Sequence, residues 1–363
     1  MAEVIWSGGM VVVLLLFTVF STAISLRVGY YSESCPWAEY IVHWTVAAHA
    51  NNDPTIAAGL LRMHFHDCFV QGCDASVLLD STPSGAPVEK EGLPNKNSLR
   101  GFEVIDDAKT HLEVSCPGVV SCADVVALAA RDAVFLSDGP YYDVPTGRLD
   151  GRISLASEAN SNVPSPFLSA DGLKAAFAKK GLSVYDLVHL SGAHTIGRAH
   201  CAVFVSRLFN FNNTGSPDPS LNSAYRNLLR ATCPQSGSPN PLVSLDRGSQ
   251  FRFDNSYYNN LLSNAGLLLT DQELNQDSVT KGSVHAFARD EDHFFVRFTE
   301  SMIKMGKIDL KTRQNGEVRL QCNAINNSTL SEEDVSTEET IEVSTSALDT
   351  KLEESGISMT SSI

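Results

Sequence analysis

Residues 62–76 read RMHFHDCFVQGCDAS, and the fold turns on how this run is interpreted. Ala57, Ala58, Leu60, Leu61, Phe65 and Phe69 surround its first half, and neither Gly nor Pro interrupts Leu60–Gln71. A helix is therefore expected there. Arg62 and His66, four residues apart, then share one face of it. A cation beside an imidazole on a buried face is costly unless something anionic or polarisable lies opposite. The second half is a tight loop. Cys68 and Cys73 bracket it, and Asp67, Asp74 and Ser76 offer oxygen ligands around Gly72. A lone helical His is usually structural, a Cys pair five apart usually a plain disulfide, and an Asp-rich loop usually a turn. The combination is more specific than its parts.

Outward from this run, the chain has 363 residues, 43% of them hydrophobic. That is enough for one large domain or two closely joined halves. A formal charge of −15 argues against nucleic-acid binding, which wants a basic surface. Met10–Phe20 is apolar and is followed by small residues up to Ser25. Residues 1–25 are read as a secretory signal cleaved after Ala23 to Ser25, although no basic residue precedes the apolar core. The run is too short to span a bilayer comfortably. Secretion makes disulfides the expected state of the eight cysteines. Residues 323–363 hold nine acids, one Lys, fifteen Ser or Thr and no aromatic residue, so an acidic, disordered extension is expected. The folded domain is then 26–322. Sequons make Asn212, Asn326 and Asn327 candidate glycosylation sites.

Helical patterns also occupy part of 30–52, Phe102–Ser115, Val119–Leu136, Ser183–Gly192 and His293–Lys307. Ser183 and Asp186 have capping-box spacing. Gly192 can end that helix and free His194 from a regular turn. Residues 81–101 and 160–167 are rich in Pro, Gly and Asn and read as connectors.

Together these motifs resemble the class III secretory plant peroxidases. LSGAHTIG at 190–197 matches that family's proximal haem motif, and SCAD with AARD at 121–132 its buried support helix. GRLDG at 147–151 matches a turn whose middle residue is usually basic but is Leu149 here, which is expected to weaken a local charge network. The resemblance covers residues 26–322. It implies a mainly α haem peroxidase fold with little β structure, in which distal and proximal helical halves sandwich one haem b. It implies that Arg62, His66 and Asn95 act on hydrogen peroxide, that His194 is the axial iron ligand, and that Asp271 accepts a hydrogen bond from it. An Asn95 oxygen on the His66 Nδ1 proton would leave Nε2 free as a base. Two calcium ions are implied. Asp67, Val70, Gly72, Asp74, Ser76 and, through water, Glu89 would hold the first; Thr195, Asp246, Ser249, Arg252 and Asp254 the second. The family pairs Cys35 with Cys116, Cys68 with Cys73, Cys122 with Cys322 and Cys201 with Cys233. It places Pro164 at the mouth where an organic donor binds.

The expected activity is reduction of peroxide to water with one-electron oxidation of small phenolic donors. The expected state is an extracellular, cell-wall monomer with no nucleic-acid partner and no stable membrane insertion. A vacuolar destination follows if the extension is a sorting signal. Two other readings compete with this one. A non-haem metal enzyme would use His64, His66 and Asp67, but residues 64 and 66 point to different sides of a helix. An inactive calcium- or carbohydrate-binding protein could share the fold, yet every expected catalytic residue is present.

Overall fold

The computed structural model describes residues 26–236 and 238–326. The expected signal segment, Asn327 and the rest of the acidic extension lie outside the described residues. Thirteen α-helices occur among those described: α1 Ala38–Asn52, α2 Ile56–Phe69, α3 Phe102–Ser115, α4 Cys122–Phe135, α5 Ala156–Asn162, α6 Ala170–Lys179, α7 Val184–Ser191, α8 Val205–Phe209, α9 Ser223–Thr232, α10 Ser256–Leu262, α11 Leu269–Gln276, α12 Lys281–Arg289 and α13 Glu291–Met305. One two-stranded antiparallel sheet joins β1 Arg198–His200 to β2 Leu242–Ser244, with Ala199 opposite Val243. The mainly helical expectation therefore holds.

Helix α2 packs on α4, and α1 and α3 flank α4. Helices α7, α10, α12 and α13 pack together in the later half of the chain, and one continuous apolar core includes residues from both groups. Helix α4 is buried on every side from Cys122 to Val134. Its Ser121 N-cap oxygen accepts from the Asp124 N–H at 3.2 Å. Three charges lie within it, and each is paired, as burial demands. Asp124 accepts from Arg148 Nη1 at 2.7 Å, Tyr31 Oη at 2.7 Å and the Gly147 N–H at 2.7 Å. Arg131 donates to Asp132 at 2.6 Å. The network around GRLDG is therefore intact with Leu149 in place: Arg148 also reaches the Gly306 carbonyl at 2.7 Å, and Asp150 accepts from the Arg319 N–H at 2.8 Å.

Two boundaries differ from expectation, each for a local reason. Helix α2 stops at Phe69 rather than Gln71 because Asp67 turns its carboxylate onto the loop, accepting from the Ala75 N–H at 2.9 Å. Gly72 follows at φ +108°, where a Cβ would lie 2.5 Å from the Asp309 carbonyl oxygen. Residues 160–162, read as connector, belong to α5, and Asn160 accepts from the Leu93 N–H at 2.7 Å. Gly192 keeps right-handed backbone angles, φ −57° and ψ −18°. It ends α7 as expected, and the reason it is glycine is steric: a Cβ there would strike the Phe294 ring and the Tyr258 hydroxyl.

Four disulfides close the described chain, Cys35–Cys116, Cys68–Cys73, Cys122–Cys322 and Cys201–Cys233, and no cysteine is free. Ser183 caps α7, its Oγ accepting from the Asp186 N–H at 3.1 Å while Asp186 accepts from the Ser183 N–H at 2.6 Å. Ser183→Ala is expected to lower stability by about 1 kcal/mol. Urea unfolding would show this as a lower midpoint at unchanged slope.

Candidate active site

The distal group is built on α2. Arg62 is fixed from outside the helix: Nη1 donates to the Ser98 carbonyl at 2.9 Å, and Nη2 to the Pro94 carbonyl at 2.8 Å. Its Nε donates to His66 Nε2 at 3.1 Å. On the other edge of that ring, His66 Nδ1 lies 2.6 Å from Asn95 Oδ1. The Asn95 amide is oriented by its own donation from Nδ2 to the Glu89 carbonyl at 2.7 Å. With the amide oxygen facing Nδ1, the proton sits on Nδ1 and Nε2 keeps its lone pair. Burial, and then the Arg62 charge, push the His66 imidazole well below its ordinary range, although Asn95 opposes this. The ring is therefore neutral. Burial lowers the Arg62 guanidinium to about 10, so it stays charged.

The proximal group lies in the tight turn Gly192–Thr195 after α7. His194 Nδ1 is 2.7 Å from Asp271 Oδ1, and that oxygen also accepts from Tyr257 Oη at 3.1 Å. The other oxygen, Oδ2, caps α11 through the Leu268 N–H at 3.2 Å. Burial pulls the His194 imidazole down, but Asp271 outweighs it and the net shift is upward. The ring is surrounded by the chain, yet 38% of its side-chain surface is accessible. The Arg62 charge acts on both imidazoles. A partly accessible imidazole, with a neutral imidazole and a fixed cation whose charge reaches both, is a donor set that fits an iron porphyrin.

Two oxygen-rich clusters adjoin these groups. In the first, Asp67, Asp74 and Glu89 are at most 1% exposed. Burial, then the Asp74 charge, push the Asp67 carboxyl well up, and burial, then the Asp67 and Asp74 charges, do the same to Glu89. Both Glu89 oxygens, Asp74 Oδ2 and Ser76 Oγ lack a hydrogen-bond partner. Lys311 Nζ stands 3.1 Å from Asp74 Oδ2, a charge contact rather than an aligned hydrogen bond. The Gly72 carbonyl accepts from the Asp74 N–H, and the Val70 carbonyl from Lys180 at 2.9 Å. Unpartnered buried carboxylate oxygens at this density fit a hard cation. In the second cluster, Thr195 Oγ1 donates to Asp254 Oδ1 at 3.1 Å, and the Arg252 N–H to the Ser249 carbonyl at 2.7 Å. Ser256, absent from the expected set, joins Ser249, Asp246 and Asp254 through its hydroxyl.

Other expected positions are placed as follows. Pro164 is half-buried, next to Val163, which packs with Val70 against Phe65 beside His66. Asn212 is exposed. Asn326 has its amide engaged, donating to the Val318 carbonyl at 2.8 Å and accepting from the Leu320 N–H at 3.0 Å. His64 does not converge with His66. It lies 3.6 Å from the Cys68 sulfur, which is bonded to Cys73 and offers no thiolate. Burial and then Arg148 depress His64 to about 3. The non-haem reading therefore has no ligand set. Sequence reasoning missed Ser98, Pro94, Tyr257 and Ser256. The first two act partly or wholly through backbone carbonyls, which no residue pattern announces.

A family model described as Peroxidase matches residues 42–290. Peroxidase N1 of Nicotiana tabacum is 52% identical over 304 residues, covering 83% of this chain and 90% of the tobacco protein. The chain belongs to the class III plant peroxidases. Peroxidase 25 of Arabidopsis thaliana is 52% identical over 306 residues, covering 83% of this peroxidase and 92% of its relative. Peroxidase 15 of Ipomoea batatas is 46% identical over 315 residues, covering 86% and 96%. The protein is thus a haem peroxidase, and the inactive reading has nothing in its favour. No helix among the described residues is long and apolar enough to cross a membrane.

Proposed function

We propose that this peroxidase reduces hydrogen peroxide with His66 as the proton carrier and oxidises small phenols. One observation carries the reading: both imidazoles have Nδ1 committed to a fixed oxygen, Asn95 Oδ1 and Asp271 Oδ1. Once the Arg62 Nε–H releases Nε2, His66 Nε2 can take the proton from one peroxide oxygen and return it to the other, which leaves as water. Arg62 stabilises the negative charge that develops on the departing oxygen. Asn95 keeps the ring in the tautomer this requires. His194 Nε2 would hold the haem iron. When bound, haem supplies the redox chemistry, accepting two oxidising equivalents from peroxide and passing them to donors one at a time.

Asp271 strengthens the His194 ring as a donor by pulling on its Nδ1 proton. Asp271→Asn is therefore expected to raise the iron reduction potential, read by spectroelectrochemical titration of the holoenzyme. An unchanged potential would remove Asp271 from the proximal role. We further propose calcium in both oxygen clusters, donor entry beside Pro164, secretion as a monomer, and glycosylation favouring Asn212 over the engaged Asn326.

Reconstitution with haem b tests the central reading. It should give one haem per chain with a Soret band, and peroxide-dependent oxidation of 2-methoxyphenol. Haem uptake without phenol oxidation would overturn it.

A further inference from the structure

His194 is the first of a run of rings that leads away from the active site. Its centroid is 6.2 Å from that of Tyr257, which is 5.0 Å from Tyr258, which is 5.2 Å from Phe287. Phe287 meets His293 at 5.1 Å and His189 at 5.4 Å. Tyr257, Tyr258 and Phe287 are buried, while His293 is exposed. The run ends at a cavity of about 410 Å³ formed by α7, α12 and α13, whose walls include Tyr185, His189, Phe287, His293 and Arg297. Core packing accounts for buried rings in contact. It does not account for an open cavity at the outer end, nor for a tyrosine hydroxyl hydrogen-bonded to the carboxylate that holds His194.

We propose that this cavity is a second donor site for a planar phenol that carries a carboxylate, and that the ring run conducts its electron to the His194 side. The volume lies within the usual range for small-ligand pockets, roughly 300–1,000 Å³. Tyr185 offers an exposed apolar ring surface to a conjugated phenol, and the buried Phe287 ring closes the floor beneath it. Arg297 supplies the cation; its Nη1 is shared with Glu300 at 2.8 Å, and its remaining N–H groups can take a carboxylate. On a chain of formal charge −15, a guanidinium lining an aromatic cavity is the local complement to an anionic ring.

The electron step rests on the peroxidase activity; the binding does not. Tyr257 gives one electron to the peroxide-oxidised enzyme and its hydroxyl proton to Asp271 Oδ1. The phenol in the cavity then gives one electron back to Tyr257, which recovers its proton from Asp271. The phenol's own proton passes to water at the exposed His293, and the phenol leaves as a phenoxyl radical. Tyr258 is a bridge rather than a stop. Its hydroxyl donates to the Val188 carbonyl at 2.9 Å, and a carbonyl does not take up a proton.

Calorimetry of the resting holoenzyme with 4-hydroxycinnamate should show two binding sites. Ser283 also lines the cavity; Ser283→Trp, which fills it, and Arg297→Glu should each leave one site, with 2-methoxyphenol oxidation unchanged. One site in the wild type, or two in both variants, would overturn the cavity assignment. Electron spin resonance after one equivalent of peroxide, without donor, should show a tyrosyl radical that Tyr257→Phe abolishes and Tyr258→Phe retains. Adding 4-hydroxycinnamate should quench it at least ~10-fold faster in wild type than in Ser283→Trp. A radical that survives Tyr257→Phe would overturn the relay. Failure of the peroxidase reading would look different: the holoenzyme spectrum would not respond to peroxide at all.

Discussion

His66→Leu takes up haem with a normal Soret band yet reacts with hydrogen peroxide about 10²- to 10⁴-fold more slowly, the span of general acid–base catalysis. Leucine keeps the apolar bulk beside Phe65 but offers no lone pair to the peroxide proton. It also leaves Asn95 Oδ1, buried and 2.6 Å from Nδ1 in the native chain, without its donor. That costs about 1–3 kcal/mol of stability, so the rate must be read well below the melting temperature. Stopped-flow mixing of holoenzyme with peroxide gives the bimolecular rate directly. A pH series supplies a second arm. Burial and Arg62 hold the wild-type imidazole far below its ordinary value of 6.5. Nε2 therefore keeps its lone pair from neutral pH down through 6.5, and the rate should stay flat there. It should fall only at more acid pH, when Nε2 gains a proton. His66→Leu should show no such acid limb. A rate within ~3-fold of wild type would remove His66 as the base, since general acid–base catalysis rarely contributes so little.

Arg62 and His66 were legible as one helix face because their spacing is a property of the chain itself. Asn95 was not, since it lies 29 positions beyond His66 and reaches it only after the Gly92–Leu99 turns fold back. The motif's resemblance, rather than periodicity, connected them. The same holds for His194 and Asp271, 77 positions apart. Tyr257 stayed hidden because its link to the site is a hydroxyl contact with Asp271, 14 positions away, which no local pattern announces. Ser256 was hidden for a different reason: a serine at the start of α10 reads as ordinary helix-end chemistry, whereas its hydroxyl gathers three oxygens of the second cluster. Gly192 ends α7 as the sequence suggests, but the demand for glycine there has another cause. Sequence rules assign a glycine after a helix to left-handed backbone, but here the Phe294 ring and Tyr258 hydroxyl leave no room for a Cβ. Steric demands from distant residues do not show in a local pattern.

Removing calcium is expected to cost activity and thermal stability together while haem is still bound. The path is short and made of named contacts. Glu89 places its carboxylate in the first oxygen cluster and its carbonyl on Asn95 Nδ2 at 2.7 Å. Asn95 in turn holds His66 Nδ1. Asp67, the residue after His66, accepts from the Ala75 N–H and closes the loop that carries Asp74 and Ser76. Without a cation, three buried carboxylates face one another, with Lys311 against Asp74 and the Arg319 charge acting on Asp67 as compensation. Their mutual repulsion favours loosening of the loop and of the Glu89 turn. A shift of ~1 Å at Asn95 or His66 is enough to misplace the base and cost up to about 10²-fold in rate. His194 and Asp271 are not in this path, so haem should remain ligated at first. The second cluster adds a parallel route, because Thr195 directly follows His194 and is tied to Asp254 at 3.1 Å. Titration with a chelator should therefore lower the peroxide reaction rate and the melting temperature in step, with the Soret band persisting. Restoring calcium should recover both. Glu89→Gln, which removes one of the three charges but leaves the carbonyl on Asn95, should blunt the chelator's effect. Full turnover in a preparation shown by elemental analysis to contain no calcium would sink the coupling.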